Sequence, residues 1–190
     1  MEAFLVSTAL VALGEIGDKT QLLALVLAAR FRRPLPIIFG ILVATLANHA
    51  LAGFVGNLVR AALPPDLLRW LVALSFFAVA AWALKPDTLD EEPPPATRWG
   101  VFGVTVVAFF LAEMGDKTQV ATVVLAAKYP SLLQVVLGTT LGMLLANVPV
   151  VLIGKAASKR IPFKAVRIAA AILFAGLGIY ALLATDVPGA

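Results

Sequence analysis

The chain has 190 residues, 61% hydrophobic and 14% charged, with a mean hydropathy of +0.97. Soluble domains are about half apolar and about a quarter charged, so this composition excludes an ordinary soluble domain and describes an integral membrane protein. The net charge of +4 comes from basic residues set between apolar stretches, the pattern of membrane loops and not of a nucleic-acid interface.

A bilayer core about 30 Å thick takes roughly 20 apolar residues per helix. Six stretches qualify, at about 3–28, 35–59, 67–84, 99–127, 132–154 and 165–184. The first begins MEAFLVSTALVALG, with no basic residue ahead of its apolar run, and passes directly into GEIGDKTQ at 14–21. It reads as a retained spanning helix, not a cleaved signal peptide. RFRRPLP separates it from the second span, which carries LAN at 46–48 and the single histidine, His49. LPPD turns the chain into the third and shortest span, where Arg69 snorkels at the edge. After KPDTLDEEPPPATR the fourth span ends its apolar run in EMGDKTQ at 113–119. KYPS and GKAASKRIPFK bound the fifth span, and all these connectors are basic, acidic or proline-bearing.

The halves repeat. A shift of 98 residues sets Glu15 on Glu113, Asp18 on Asp116, KTQ on KTQ, Gly40 on Gly138 and Gly56 on Gly154. A one-residue slip aligns LAN at 46–48 with LAN at 145–147. The expected organisation is a first three-helix repeat at 1–84, an acidic proline-rich linker at 85–98, a second repeat at 99–184 and a tail at 185–190. Three is odd, so the second copy enters the bilayer from the opposite side. The fold expected is therefore an all-α integral membrane protein of six transmembrane helices in two inverted-topology repeats, the plan of many secondary transporters. Outside the motifs, ten lysines and arginines fall in the loops on one side and three on the other (Arg60, Arg69 and Lys128). The positive-inside rule then makes the 85–98 linker cytoplasmic and puts both termini outside.

The two charged motifs carry the chemistry. An acidic residue near the centre of a spanning helix costs about 2.5–3.5 kcal/mol, so four come to about 10 kcal/mol before pairing. Lys19 and Lys117 could offset part of this as buried ion pairs, but each motif has two acids and one lysine. The remaining deficit of two charges matches one divalent cation or two protons. On a continuous helix Glu15 and Asp18 fall about 60° apart, with Gln21 and Ser7 extending the stripe, and Glu113, Asp116, Gln119 and Thr105 do the same in the second copy. Hard divalent cations take six or more oxygens. Two motifs crossing at mid-membrane would supply the four carboxylates, with Gln21, Gln119, Asn48 and Asn147 as further ligands; interhelical hydrogen bonding is the competing role for the asparagines. Thr20 and Thr118 point some 120–140° away from the acidic stripe and bond helix backbone, unless the helix breaks at Gly17 and Gly115. His49 has no counterpart in the second half, where Val148 stands, and a lone histidine in a span is read first as an interhelical donor or water-facing group. The absence of cysteine removes thiolate metal sites and disulfides. No nucleophile or cofactor loop accompanies the acids, so no enzyme and no resident cofactor are expected.

A six-helix chain with EIGDKT and EMGDKT at equivalent repeat positions resembles the small calcium/manganese:proton exchangers, a family with Golgi, chloroplast and bacterial manganese-exporting members. The resemblance covers essentially the whole chain. It implies cation:proton antiport, with Glu15, Asp18, Glu113 and Asp116 at the translocating and proton-coupling positions and Lys19, Thr20, Lys117 and Thr118 completing the motif. The chain lacks the long N-terminal extension of eukaryotic members, which implies a prokaryotic plasma membrane and export of manganese. A calcium:proton antiporter would use the same oxygens, and a small-solute exporter of amino-acid type is the more distant alternative. The partners implied are a divalent metal ion, protons and the lipid bilayer; assembly into a homo-oligomer is compatible with such a chain.

Overall fold

The structure is a computed structural model that describes residues 1–85, 100–153 and 163–183. Most of the 85–98 linker, the 185–190 tail, and the basic residues Arg98, Lys155, Lys159 and Arg160 lie outside the described residues. Among the described residues the secondary structure is entirely helical: α1 (Glu2–Glu15), α2 (Lys19–Phe31), α3 (Pro34–Ala62), α4 (Pro65–Ala83), α5 (Gly100–Glu113), α6 (Lys117–Lys128), α7 (Leu132–Ile153) and α8 (Phe163–Leu183).

Four of these helices, α3, α4, α7 and α8, are long and apolar enough to cross a membrane. Two stretches expected to be unbroken helices are not. The span at 3–28 is divided between α1 and α2, and the span at 99–127 between α5 and α6. The cause is local. Gly17 and Gly115 adopt left-handed φ values of 84° and 73°, a conformation that carries no steric penalty only in glycine. The aspartate that follows each is extended, with φ/ψ of −83°/168° at Asp18 and −83°/164° at Asp116, and stands as the N-cap of the next helix. Helical geometry therefore stops at the glutamate and restarts at the lysine.

Packing between the halves is reciprocal: α1 lies on α7 as α5 lies on α3, α2 touches α7 as α6 touches α3, and α4 pairs with α8. Glycines that coincide in the repeat make two of the close approaches. A Cβ on Gly40 would stand 2.6 Å from the Thr105 Cβ, and one on Gly138 would stand 2.9 Å from the Ser7 Cβ. Ser7 and Thr105, themselves repeat equivalents, thus pack where a helix partner has no side chain. Two apolar cores flank the motifs. One joins α4, α6 and α8 around Phe76 and Phe174, whose ring centroids are 6.4 Å apart; the other joins α2, α3, α5 and α7 around Leu27, Ile41, Phe109 and Met143. The exterior is apolar as well. Phe39, Leu51, Phe54, Trp70, Leu74, Leu133 and Ile172 are all exposed, a surface for lipid and not for water.

Candidate functional site

The polarity of a soluble protein is reversed here. Glu15, Asp18, Asn48, His49, Glu113, Asp116, Lys117, Thr118 and Asn147 are all buried. The helix breaks bring them together. Glu15 ends α1 and Glu113 ends α5, so both glutamates sit at helix C-termini, where the backbone dipole is negative and favours a cation. Glu15, Glu113 and Asp116 each offer a carboxylate oxygen within 4.8 Å of the others. Opposite ligands of a divalent cation lie about 4.0–5.2 Å apart for bond lengths of about 2.0–2.6 Å, so three such oxygens fit around one ion.

The lysines pair across the halves. Lys19 of the first motif lies 3.4 Å from Asp116 of the second, and Lys117 of the second forms an ion pair with Asp18 of the first. Each aspartate is thus answered by the ammonium of the other copy. The glutamates are treated differently. Thr20 and Thr118 both donate their hydroxyls to Glu15, one to each carboxylate oxygen. Among the described residues neither oxygen of Glu113 has a hydrogen-bond partner, and Oδ2 of Asp116 has none. Buried acceptors without donors are rare in folded proteins and call for a bound cation, proton or water.

The threonines are where the expectation from an unbroken helix fails. Restarting the helix after Gly17 and Gly115 rotates Thr20 and Thr118 toward the acids, and Thr118 reaches the glutamate of the opposite half. The amides are hydrogen-bonded around the interruptions. Gln21 Oε1 accepts from the Gly17 N–H at 2.9 Å while its Nε2 donates to the Ala146 carbonyl at 3.0 Å. Gln119 Oε1 accepts from the Gly115 N–H at 2.7 Å and its Nε2 donates to Asn48 Oδ1 at 3.4 Å. Asn48 in turn donates to the Phe110 carbonyl at 3.0 Å. These three side chains clamp the interruptions and tie them to the facing long helix. Asn147 donates to the Met143 carbonyl at 3.0 Å, and among the described residues its Oδ1 has no hydrogen-bond partner.

His49, read from the sequence as an interhelical or water-facing group, is fully buried, with Nε2 3.7 Å from Glu113 Oε1. It stands next to Asn48 on α3, and that adjacency to LAN was the one sign of it in the sequence.

A family model described as "Divalent cation/proton antiporter GDT1" matches residues 3–91 and 101–187. A Vibrio cholerae protein named "Putative manganese exporter" is 54% identical over 175 residues, 92% of this chain and 87% of that protein. A GDT1-like protein of Synechocystis is 27% identical, covering 92% of this chain and 93% of its own. GDT1-like protein 5 of Arabidopsis thaliana is 27% identical, covering 96% of each. No solved structure matches. With both halves matched by that model, the chain belongs to the divalent cation/proton antiporter family GDT1, whose members are multi-pass membrane transporters and not enzymes.

Proposed function

We propose that this protein exports divalent cations, manganese foremost, from the cytoplasm in exchange for protons, through a carboxylate site formed between two inverted three-helix repeats. The single observation that carries the reading is the convergence of Glu15, Glu113 and Asp116, buried and within 4.8 Å of one another, from two different halves of the chain. In this reading α1–α2 and α5–α6 each make one interrupted crossing, which brings the spans to six. Interrupted helices whose ends meet at mid-membrane are the usual ion sites of secondary transporters. The 85–98 linker and both ends of the bundle follow the positive-inside assignment, with the linker cytoplasmic in a prokaryotic plasma membrane.

Coupling follows from competition. A carboxyl group removed from water holds its proton more tightly, and a dication beside it favours the ionised form. One cluster of acids therefore holds either protons or metal. Arrival of the ion from the cytoplasm displaces protons; rocking of the halves exposes the site outside, where protons displace the ion. Asp116 belongs both to the carboxylate triad and to the ion pair with Lys19, so a bound cation competes with that ammonium and loosens one tie between the halves. Asp18 and Lys117 keep the second tie. The manganese in the name of the Vibrio relative supports the choice of ion.

The test is metal flux in proteoliposomes with and without an imposed pH gradient. Exchange driven by the gradient is expected from the wild type and abolished in both Glu15→Gln and Glu113→Gln. Unchanged flux in both variants would remove the site.

A further inference from the structure

We infer that His49 is a direct ligand of the transported ion, a nitrogen donor in an otherwise oxygen-lined site that favours first-row transition-metal cations such as Mn²⁺ over Ca²⁺. This rests on the carboxylate site proposed above and adds its selectivity.

The imidazole is fully buried, and among the described residues neither ring nitrogen has a hydrogen-bond partner. A buried histidine ordinarily donates through one nitrogen and accepts through the other. Facing it, Glu113 also leaves both oxygens without a donor. The 3.7 Å between His49 Nε2 and Glu113 Oε1 is too long for a hydrogen bond, which falls at about 2.7–3.2 Å. It suits two ligands of one ion. At bond lengths of about 2.0–2.1 Å it corresponds to an angle of about 125–135° at the ion, wider than adjacent and narrower than opposite positions of a regular octahedron, so the pair fits a distorted coordination sphere.

The imidazole is also held in place. Its neighbour Asn48 bonds the Phe110 carbonyl near the end of α5 and accepts from Gln119 on α6, which registers α3 against the break that presents Glu113. The repeat has no second histidine, since Val148 stands at the matching position. The two glutamates differ accordingly: Glu15 receives two threonine hydroxyls, whereas Glu113 faces an imidazole with its lone pairs unused. Oxygen ligands alone accept calcium, magnesium and manganese alike, and imidazole shifts preference toward transition metals.

The experiment has two readouts. Purified protein loaded with Mn²⁺ in detergent is examined by electron spin echo envelope modulation, which detects a ¹⁴N nucleus bound to the metal. Modulation from an imidazole nitrogen is expected in the wild type and lost in His49→Gln. In proteoliposomes, the preference for Mn²⁺ over Ca²⁺ is measured by competition in wild type, His49→Gln and His49→Val, the last carrying the residue of the other half. It is expected to fall about tenfold or more, the scale on which groups supporting a metal site act. Wild-type Mn²⁺ bound without nitrogen coupling overturns the inference while leaving the carboxylate site standing, as does an unchanged preference in folded variants. A wild type that neither binds nor carries either ion overturns both.

Discussion

Gly115 offers the cleanest test of the helix interruption, because a side chain there has room. Among the described residues a Cβ built on it meets nothing within 4 Å, yet its φ is +73°. Any cost of substitution therefore lies in the backbone. For an L-residue the left-handed region costs about 1–2 kcal/mol, less for asparagine, which visits it routinely, and more for a β-branched residue. Gly115→Asn is expected to destabilise by roughly 0.5 kcal/mol, Gly115→Ala by about 1 kcal/mol and Gly115→Val by about 2 kcal/mol. Denaturant unfolding of the purified protein in detergent gives the order, with metal exchange measured in parallel. Exchange should fall further than stability. The Gly115 N–H is held by Gln119 Oε1 at 2.7 Å and Asp116 is extended beside Lys19, so a backbone that relaxes into helix turns Asp116 away from the site. A valine variant as stable and as active as the wild type, or an asparagine variant worse than valine, would refute the argument.

The close helix contacts make a second prediction. Gly138→Ala puts a methyl group 2.5 Å from the Phe4 carbonyl oxygen and should destabilise by about 1–3 kcal/mol, whereas Gly176→Ala meets open space and should be neutral or stabilising by up to about 1 kcal/mol in the same unfolding assay. Lys117→Met removes the counter-charge of buried Asp18 and should cost about 3–5 kcal/mol; Lys117→Met with Asp18→Asn should recover at least half of it, and strictly additive losses would contradict the pairing. Thr20→Val and Thr118→Val each strip a hydroxyl from Glu15 and should lower exchange severalfold in proteoliposomes. Thr122→Val, whose hydroxyl returns to the Thr118 carbonyl of its own helix, should leave exchange near wild type.

Much of this arrangement was legible in the sequence for simple reasons. Hydropathy is a sum over many residues, so the membrane class and its apolar stretches survive any local irregularity. The repeat is visible because Glu15, Asp18 and KTQ return intact 98 residues later. What stayed hidden depends on single dihedral angles. Periodicity assumes the helix continues, and one left-handed glycine resets the phase of everything after it; that is why Thr20 and Thr118 fall on the wrong side of a helical wheel and on Glu15 in the structure. The crossed pairs were hidden for a different reason. Lys19 follows Asp18 directly, and nothing in the linear order tells that the extended aspartate turns toward the other copy. His49 occurs once, so the repeat gives no hint that it lies 3.7 Å from Glu113.

The crossed counter-charges make each half hostage to the other. A chain severed in its linker would yield two fragments, each carrying an aspartate whose answering ammonium resides on the missing piece. Co-expression should restore what neither fragment can do alone. A single copy standing alone leaves its aspartate unanswered, while two identical copies would satisfy each other as readily as two divergent ones. A gene encoding a single unit that worked as a pair is the ancestor such wiring permits.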